Sequence, residues 1–148
     1  MIQADTKGPL MPFKGKGGAR RRLRELERQR DAIEQKMRAL ASEFKATFRA
    51  PRSAYLVVHH NGGYFNLRWR GDAGDGGVPV FFELTTTARG RLALATLPTP
   101  VRRLFLGFER RRLELNLASS TCQHELRRLR DYLSKLDALR DCEQENAR

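Results

Sequence analysis

The spacing of apolar and polar positions changes twice along the chain, and each change marks a new kind of element. From Ala19, the residues Leu26, Ile33, Met37, Leu40 and Phe44 recur in alternating steps of three and four, with Arg30 in the missing slot. That heptad-type seam predicts a helix, which Pro51 ends. The middle of the chain switches to a period of two. Residues 54–60 are rich in β-branched and aromatic side chains, Asn61-Gly62-Gly63 is a tight-turn signal, and Tyr64–Arg70 returns. On the return, Phe65, Leu67 and Trp69 share one face, while Tyr64, Asn66, Arg68 and Arg70 share the other. The first face suits a core, so Trp69 is expected as an anchor there rather than as a stacking platform. A flexible Gly/Asp loop at 71–77 leads into a third expected strand, Val80–Thr87, and residues 89–97 fit either a fourth strand or a helical turn.

Thr99-Pro100 reads as a helix start, with threonine as N-cap and proline in the first turn. Val101, Phe105, Phe108, Leu115, Cys122, Leu126, Leu129, Leu133 and Leu136 then fall on one stripe, with Arg112 and Ser119 in its remaining slots. A second stripe, Leu106, Leu113 and Leu117, widens the apolar face of the first half, which is expected to touch both the sheet and helix one. The last half keeps only a narrow seam, Leu126, Leu129, Leu133 and Leu136, expected to pair with helix one or to recruit a second chain. At about 1.5 Å per residue this helix would span roughly 60 Å. The expected fold class is α+β: an N-terminal helix, a small antiparallel β-meander and a long C-terminal helix, the two helices pairing as an antiparallel coiled coil. The expected organisation is a flexible basic Gly/Lys arm at 1–18, a single helix–sheet–helix domain at 19–142 and a disordered tail at 143–148.

Charge changes the picture most. The 148 residues include 29 Lys and Arg against 17 Asp and Glu, a formal net charge of +12. The cations are clustered: Lys14 and Lys16 in the arm, Arg20, Arg21 and Arg22, Arg68 and Arg70 on the polar strand face, and Arg110, Arg111 and Arg112. Consecutive arginines on a helix point in widely different directions, more than one pairing face requires. Guanidinium groups suit phosphate, so nucleic acid is the first partner to consider, with DNA ahead of RNA. Glycines and lysines before a helix also suit phosphate, although the GxxxxGK[ST] spacing of a nucleotide-binding loop is absent.

Catalytic and metal chemistry find little support. His59 and His60 lack a third ligand of suitable type nearby, and His124 is remote in sequence, so no metal is expected. Asp72 and Asp75 fall short of a calcium loop, and no serine, cysteine or threonine sits in a nucleophile motif. The expectation is a protein that is not an enzyme and takes no cofactor. No apolar run approaches the roughly 20 residues that span a bilayer, and the first residues lack a signal-peptide pattern. Cys122 and Cys142 on one helix would lie roughly 30 Å apart, out of disulfide reach. A cytoplasmic protein without membrane contact is expected.

Three segments carry a resemblance: PFKGKGG before the first helix, NLRWRG ending the second strand, and TPVRRLF with FERRRLELNL entering the last helix. In that order the chain resembles, over residues 11 to about 135, an uncharacterised family carried by integrative and conjugative elements of proteobacteria, domain of unknown function family 3158. The resemblance implies a mobile-element setting beside single-strand-binding, topoisomerase and partition proteins, and it carries over no established active site. It marks Phe13, Lys14, Gly15, Lys16, Gly17, Leu67, Arg68, Trp69 and Arg70 as positions of interest. By that likeness the Gly/Asp loop is an insertion, which puts the following strand in doubt.

Two functional readings follow. The first is a non-enzymatic nucleic-acid-binding accessory protein of such an element, gripping the phosphate backbone through Lys14, Lys16, Arg20, Arg21, Arg22, Arg68, Arg70, Arg110, Arg111 and Arg112 with little sequence readout. The second is a coiled-coil scaffold of prefoldin-like outline, whose seam at Leu126, Leu129, Leu133 and Leu136 forms a homodimer or binds an acidic protein partner.

Overall fold

The computed structural model describes residues 13–71 and 80–147. In chain order these form α1 (Gly15–Thr47), β1 (Tyr55–Asn61), β2 (Tyr64–Gly71), β3 (Val80–Phe82), α2 (Ala88–Ala95) and α3 (Thr99–Asn146). The architecture is mixed helix and sheet, as the periodicity indicates, with the long last helix packing against the first. The chain divides into two compact units: one of residues up to Gln29 together with those from Cys122 onward, the other Arg30–Thr121.

In the first unit, α1 begins at Gly15, four residues earlier than its apolar period indicates. The Gly18 amide donates to the Lys14 carbonyl at 3.1 Å, so residues 15–18 belong to the helix and not to an arm. Phe13 holds this end, its ring 6.0 Å from that of Tyr132. The rest of the expected arm, residues 1–12, lies outside the described residues. At the other end α3 continues through Asn146, into the stretch expected to be a tail. Ala19, Leu26, Cys122, Leu126 and Leu129 are buried in this unit, while Leu133 and Leu136 are half-buried. Partners descend α3 as they ascend α1: Lys16 meets Asp137, Arg22 meets Glu125, and the Cys122 thiol donates to the Leu26 carbonyl. The two helices therefore run in opposite directions here, and the first half of the leucine seam, Leu126 and Leu129, is covered from within the chain. Of the two alternatives expected for this seam, Leu126 and Leu129 take the pairing with helix one.

In the second unit the order of the antiparallel sheet is β1-β2-β3. Asn61 pairs with Tyr64 across a turn in which Gly62 (φ +56°) and Gly63 (φ +86°) both take left-handed backbone, the geometry a two-residue hairpin requires. The register sets Leu56 beside Trp69 and Val58 beside Leu67, and Phe82 joins Trp69 from β3. Leu56, Leu67 and Trp69 pack against Met37, Leu40 and Phe44 of α1 and Phe105 and Phe108 of α3. Phe44 is the hub, meeting Trp69, Phe105 and Phe108 edge-on at 5.2–5.3 Å between ring centres. Such pairs contribute about 0.5–1.5 kcal/mol each beyond the area they bury.

Three differences from the sequence pattern stand out. β3 stops at Phe82, and the residues that read as the rest of a strand turn into α2. Leu84 drops fully into the core, and Thr87 caps α2 by accepting from the Gly90 amide at 3.2 Å, so residues 89–95 are helical rather than extended. Most of the Gly/Asp loop lies outside the described residues. The first bond of α3 runs from the Arg102 amide to the Pro98 carbonyl, which puts Thr99 inside the helix and not at its cap. The third difference concerns the second stripe. Leu106, Leu113 and Leu117 are 41%, 53% and 69% exposed, because α3 turns Phe105, Phe108, Arg112 and Ser119 inward, roughly a third of a turn away.

Gly90 is required by close approach. A Cβ there would stand 2.1 Å from the Glu83 carbonyl oxygen and 2.4 Å from that of Leu84, and both are backbone. Gly90→Ala should therefore lower stability by about 2 kcal/mol or more in urea unfolding. Gly107→Ala, in open space on α3, should be neutral or gain up to about 1 kcal/mol.

Candidate nucleic-acid interface

The cations singled out by sequence separate into three groups. In the first, charge is already matched within the fold. The Lys16 ammonium pairs with Asp137 and, through that hydrogen bond, holds the aspartate carboxyl below its ordinary range. Arg22 bridges Glu125 at 2.7 Å and Glu25 at 3.2 Å. Burial pushes its guanidinium down, and the two glutamates outweigh that to leave it raised. Arg111 reaches Glu43 at 2.7 Å, a hydrogen bond that lowers the glutamate's pKa.

Arg112 forms the second group alone. It is 4% exposed and lies beside Glu109, itself 5% exposed. Its guanidinium donates to Glu109 at 2.7 Å and 3.0 Å, to Glu83 at 2.6 Å and to the Leu67 carbonyl at 3.2 Å. The Trp69 indole N–H donates to the same Glu109 carboxylate. Burial opposes the charge on Arg112, and Glu109 and Glu83 overcome it, so its pKa is raised. A guanidinium buried in this way, with its charge matched by Glu109 and Glu83, is not presented to a phosphate. Arg112 is therefore corrected from a surface contact to a core residue. The signal was present in the sequence, since Arg112 occupies a slot of the buried stripe with Glu109 three residues before it.

The same face of α3 completes the sheet. Asn116 accepts from the Leu67 amide at 2.8 Å and donates to the Leu67 carbonyl at 2.9 Å, and the Ser119 hydroxyl donates to the Phe65 carbonyl at 2.7 Å. β3 pairs only with Trp69, Arg70 and Gly71. Beyond its end, α3 side chains stand in for a further strand and satisfy the edge of β2.

The third group remains accessible. Lys14, Arg20, Arg21 and Arg110 are exposed, and among the described residues Arg21 and Arg110 enter no ion pair. Arg68 and Arg70 project from the outer face of the sheet, partly exposed and likewise without an ion pair among the described residues. Cross-strand register gathers aromatic rings around them: Tyr55 opposite Arg70 on β1, and Phe81 opposite it on β3. The Arg68 guanidinium lies 4.0 Å from the centre of the Phe81 ring, and His59 meets that ring at 5.5 Å. The Arg70 and Arg52 guanidinium groups lie 5.8 and 5.5 Å from the centre of the Tyr55 ring.

Between this face and α1 lies an open groove of about 670 Å³, lined by Arg38, Lys45, Arg52 and Arg70 with Tyr55 and with apolar side chains such as Phe44 and Val57; among the described residues no carboxylate lines it. Arg38 binds Glu34 beside it, and Arg52 caps the end of α1 by donating to the carbonyls of Phe48 and Lys45 at 2.6 and 3.0 Å. Sequence reasoning passed over Arg38, Lys45, Arg52 and Tyr55, because they are scattered along the chain and only the hairpin's docking onto α1 assembles them. Among the described residues no group of His, Cys, Asp and Glu could hold a metal ion, and no helix is long and apolar enough to cross a membrane. Comparison with protein-family models, curated proteins and solved structures found no match for this chain.

The buried pair has a measurable consequence. Glu109→Ala should cost about 3–5 kcal/mol, since it strands a buried guanidinium. The double change Glu109→Leu with Arg112→Met should cost clearly less than that single one. Urea midpoints of the two variants check the ordering.

Proposed function

We propose that this protein is a non-enzymatic nucleic-acid-binding protein that contacts the phosphate backbone with little sequence readout. The observation that carries the reading is the outer sheet face, where Arg68 and Arg70 stand without carboxylate partners among the described residues and between the rings of Tyr55 and Phe81. Lys14, Arg20, Arg21 and Arg110 add exposed charge. A net charge of +12 supplies the long-range attraction. DNA is the favoured partner, in the cytoplasm, and the accessory role in an integrative and conjugative element follows the resemblance carried by PFKGKGG and NLRWRG. The opposed α1 and α3 segments are read as an antiparallel coiled coil, with Leu26, Cys122, Leu126 and Leu129 as its seam.

A scaffold role has one observation in its favour. Leu106, Leu113 and Leu117 form an exposed stripe on α3, with exposed Arg103 and Arg110 on the same helix. That composition suits an apolar partner face with acidic margins. Under this second reading Leu113→Lys abolishes self-association or partner capture in light scattering; under the first it changes nothing.

The main reading predicts a log-linear loss of DNA affinity with salt. Arg68→Gln with Arg70→Gln should lower affinity at least about tenfold and reduce the magnitude of the salt slope by about 1.5. Arg111→Gln, whose charge is matched by Glu43, should change both little. Fluorescence anisotropy over a salt series measures all three proteins. Unchanged binding by the double variant would remove the sheet face from the site.

A further inference from the structure

Resting on the nucleic-acid reading, we infer that the preferred ligand is a single strand, lying along the groove between α1 and β1 with a base against the Tyr55 ring. The sheet order leaves the outer edge of β1 without a strand partner among the described residues, and that edge lines the groove. Lys45, Arg52 and Arg70 give the groove positive charge, and Arg38 stands at its margin in a pair with Glu34. Among the described residues no carboxylate lines it, so a phosphate entering the groove meets cations without an opposing charge from those residues.

Two features favour a single strand over a duplex. The groove is of the size that receives small ligands, room for one or two nucleotides but not for a double helix. Of the two rings that line it, Phe44 is buried in the core, while Tyr55 is partly exposed, with Arg52 and Arg70 at 5.5 and 5.8 Å from its centre. In a duplex the bases are already stacked on one another and present only their edges. In a single strand each base offers a face, which an aromatic ring or a guanidinium plane can take. Arg68, laid over Phe81 at 4.0 Å, offers such a plane on the adjoining sheet face. A peptide of Asp and Glu alone would find the same charges but has nothing to stack on Tyr55.

The test uses the full chain and four probes: labelled oligo-dT, labelled oligo-U, a labelled mixed-sequence duplex of equal length, and polyglutamate as competitor. Both single strands should bind at least about tenfold tighter than the duplex, and whichever binds tighter identifies DNA or RNA as the source of the strand. Tyr55→Ala should weaken single-strand binding about tenfold, a change in the range of one lost base stack, and duplex binding by clearly less. Tyr55→Phe should retain single-strand affinity. Photo-cross-linking of an iodouracil-substituted strand to Tyr55, located by mass spectrometry, reads the contact in the unmutated protein. Equal affinity for strand and duplex, with Tyr55→Ala inert and no cross-link at Tyr55, would overturn the inference and leave the broader reading standing. Polyglutamate competing as well as oligo-dT, charge for charge, would overturn it in favour of a peptide. Failure to bind any nucleic acid at low salt would overturn both.

Discussion

The Glu109–Arg112 pair lies inside α3 where its heptad would otherwise bury apolar residues, and the sheet is built around it. Two opposite charges taken out of water cost several kcal/mol each unless their hydrogen-bonding capacity is filled. Here it is filled by specific atoms: the Trp69 indole, the Leu67 carbonyl and Glu83 at the start of the turn into α2. Each partner fixes one piece of chain against α3. Trp69 and Leu67 alternate on β2, so the pair selects which face of that strand turns inward. A slip of one residue would strand the carboxylate and turn Arg68 and Arg70 into the core. Asn116 and Ser119 extend the same constraint along β2, and together these contacts orient the outer face of the sheet.

That constraint sorts the cations. An arginine-rich sequence invites the view that every cluster is a binding surface, yet much of this charge works inside the fold. Arg112 is buried, Lys16, Arg22 and Arg111 neutralise carboxylates, and Arg52 and Arg102 cap helix ends through backbone carbonyls. Among the cations without a carboxylate partner in the described residues, Arg68 and Arg70 are brought together by secondary structure and not by sequence clustering. Arg68 and Arg70 are two residues apart on a strand and therefore on one face, and the register adds Tyr55 and Phe81 beside them.

The elements with strong periodicity were legible in the sequence. The heptad positions Leu26, Met37, Leu40 and Phe44, the Asn61-Gly62-Gly63 hairpin, and the inward face of Leu67 and Trp69 all follow from local spacing and turn chemistry. The failures share a cause, which is that tertiary partners decided between local alternatives. Val80–Thr87 has β propensity throughout, but burial of Leu84 and the Thr87 cap turn its second half toward α2. Leu106, Leu113 and Leu117 have the spacing of a core stripe, and the polar network on α3 takes the inward direction from them. Of the candidate site, Arg68 and Arg70 could be read from alternation alone. The groove could not, because Arg38 and Lys45 come from α1 and Tyr55 from β1, and no short-range pattern links them.

The central claim is that the sheet's outer face and the adjoining groove, rather than the helical arginine clusters, form the working surface. Amide chemical-shift mapping on titration with an unlabelled single-stranded oligonucleotide tests it most directly, since it reports on the whole described backbone without any substitution. The account predicts that the largest shifts fall at Tyr55, Arg68, Arg70, Phe81 and Lys45, with little change at Arg22 or Arg111. Shifts concentrated instead along Arg20–Arg22 and Arg110–Arg111, with β1 and β2 silent, would contradict it.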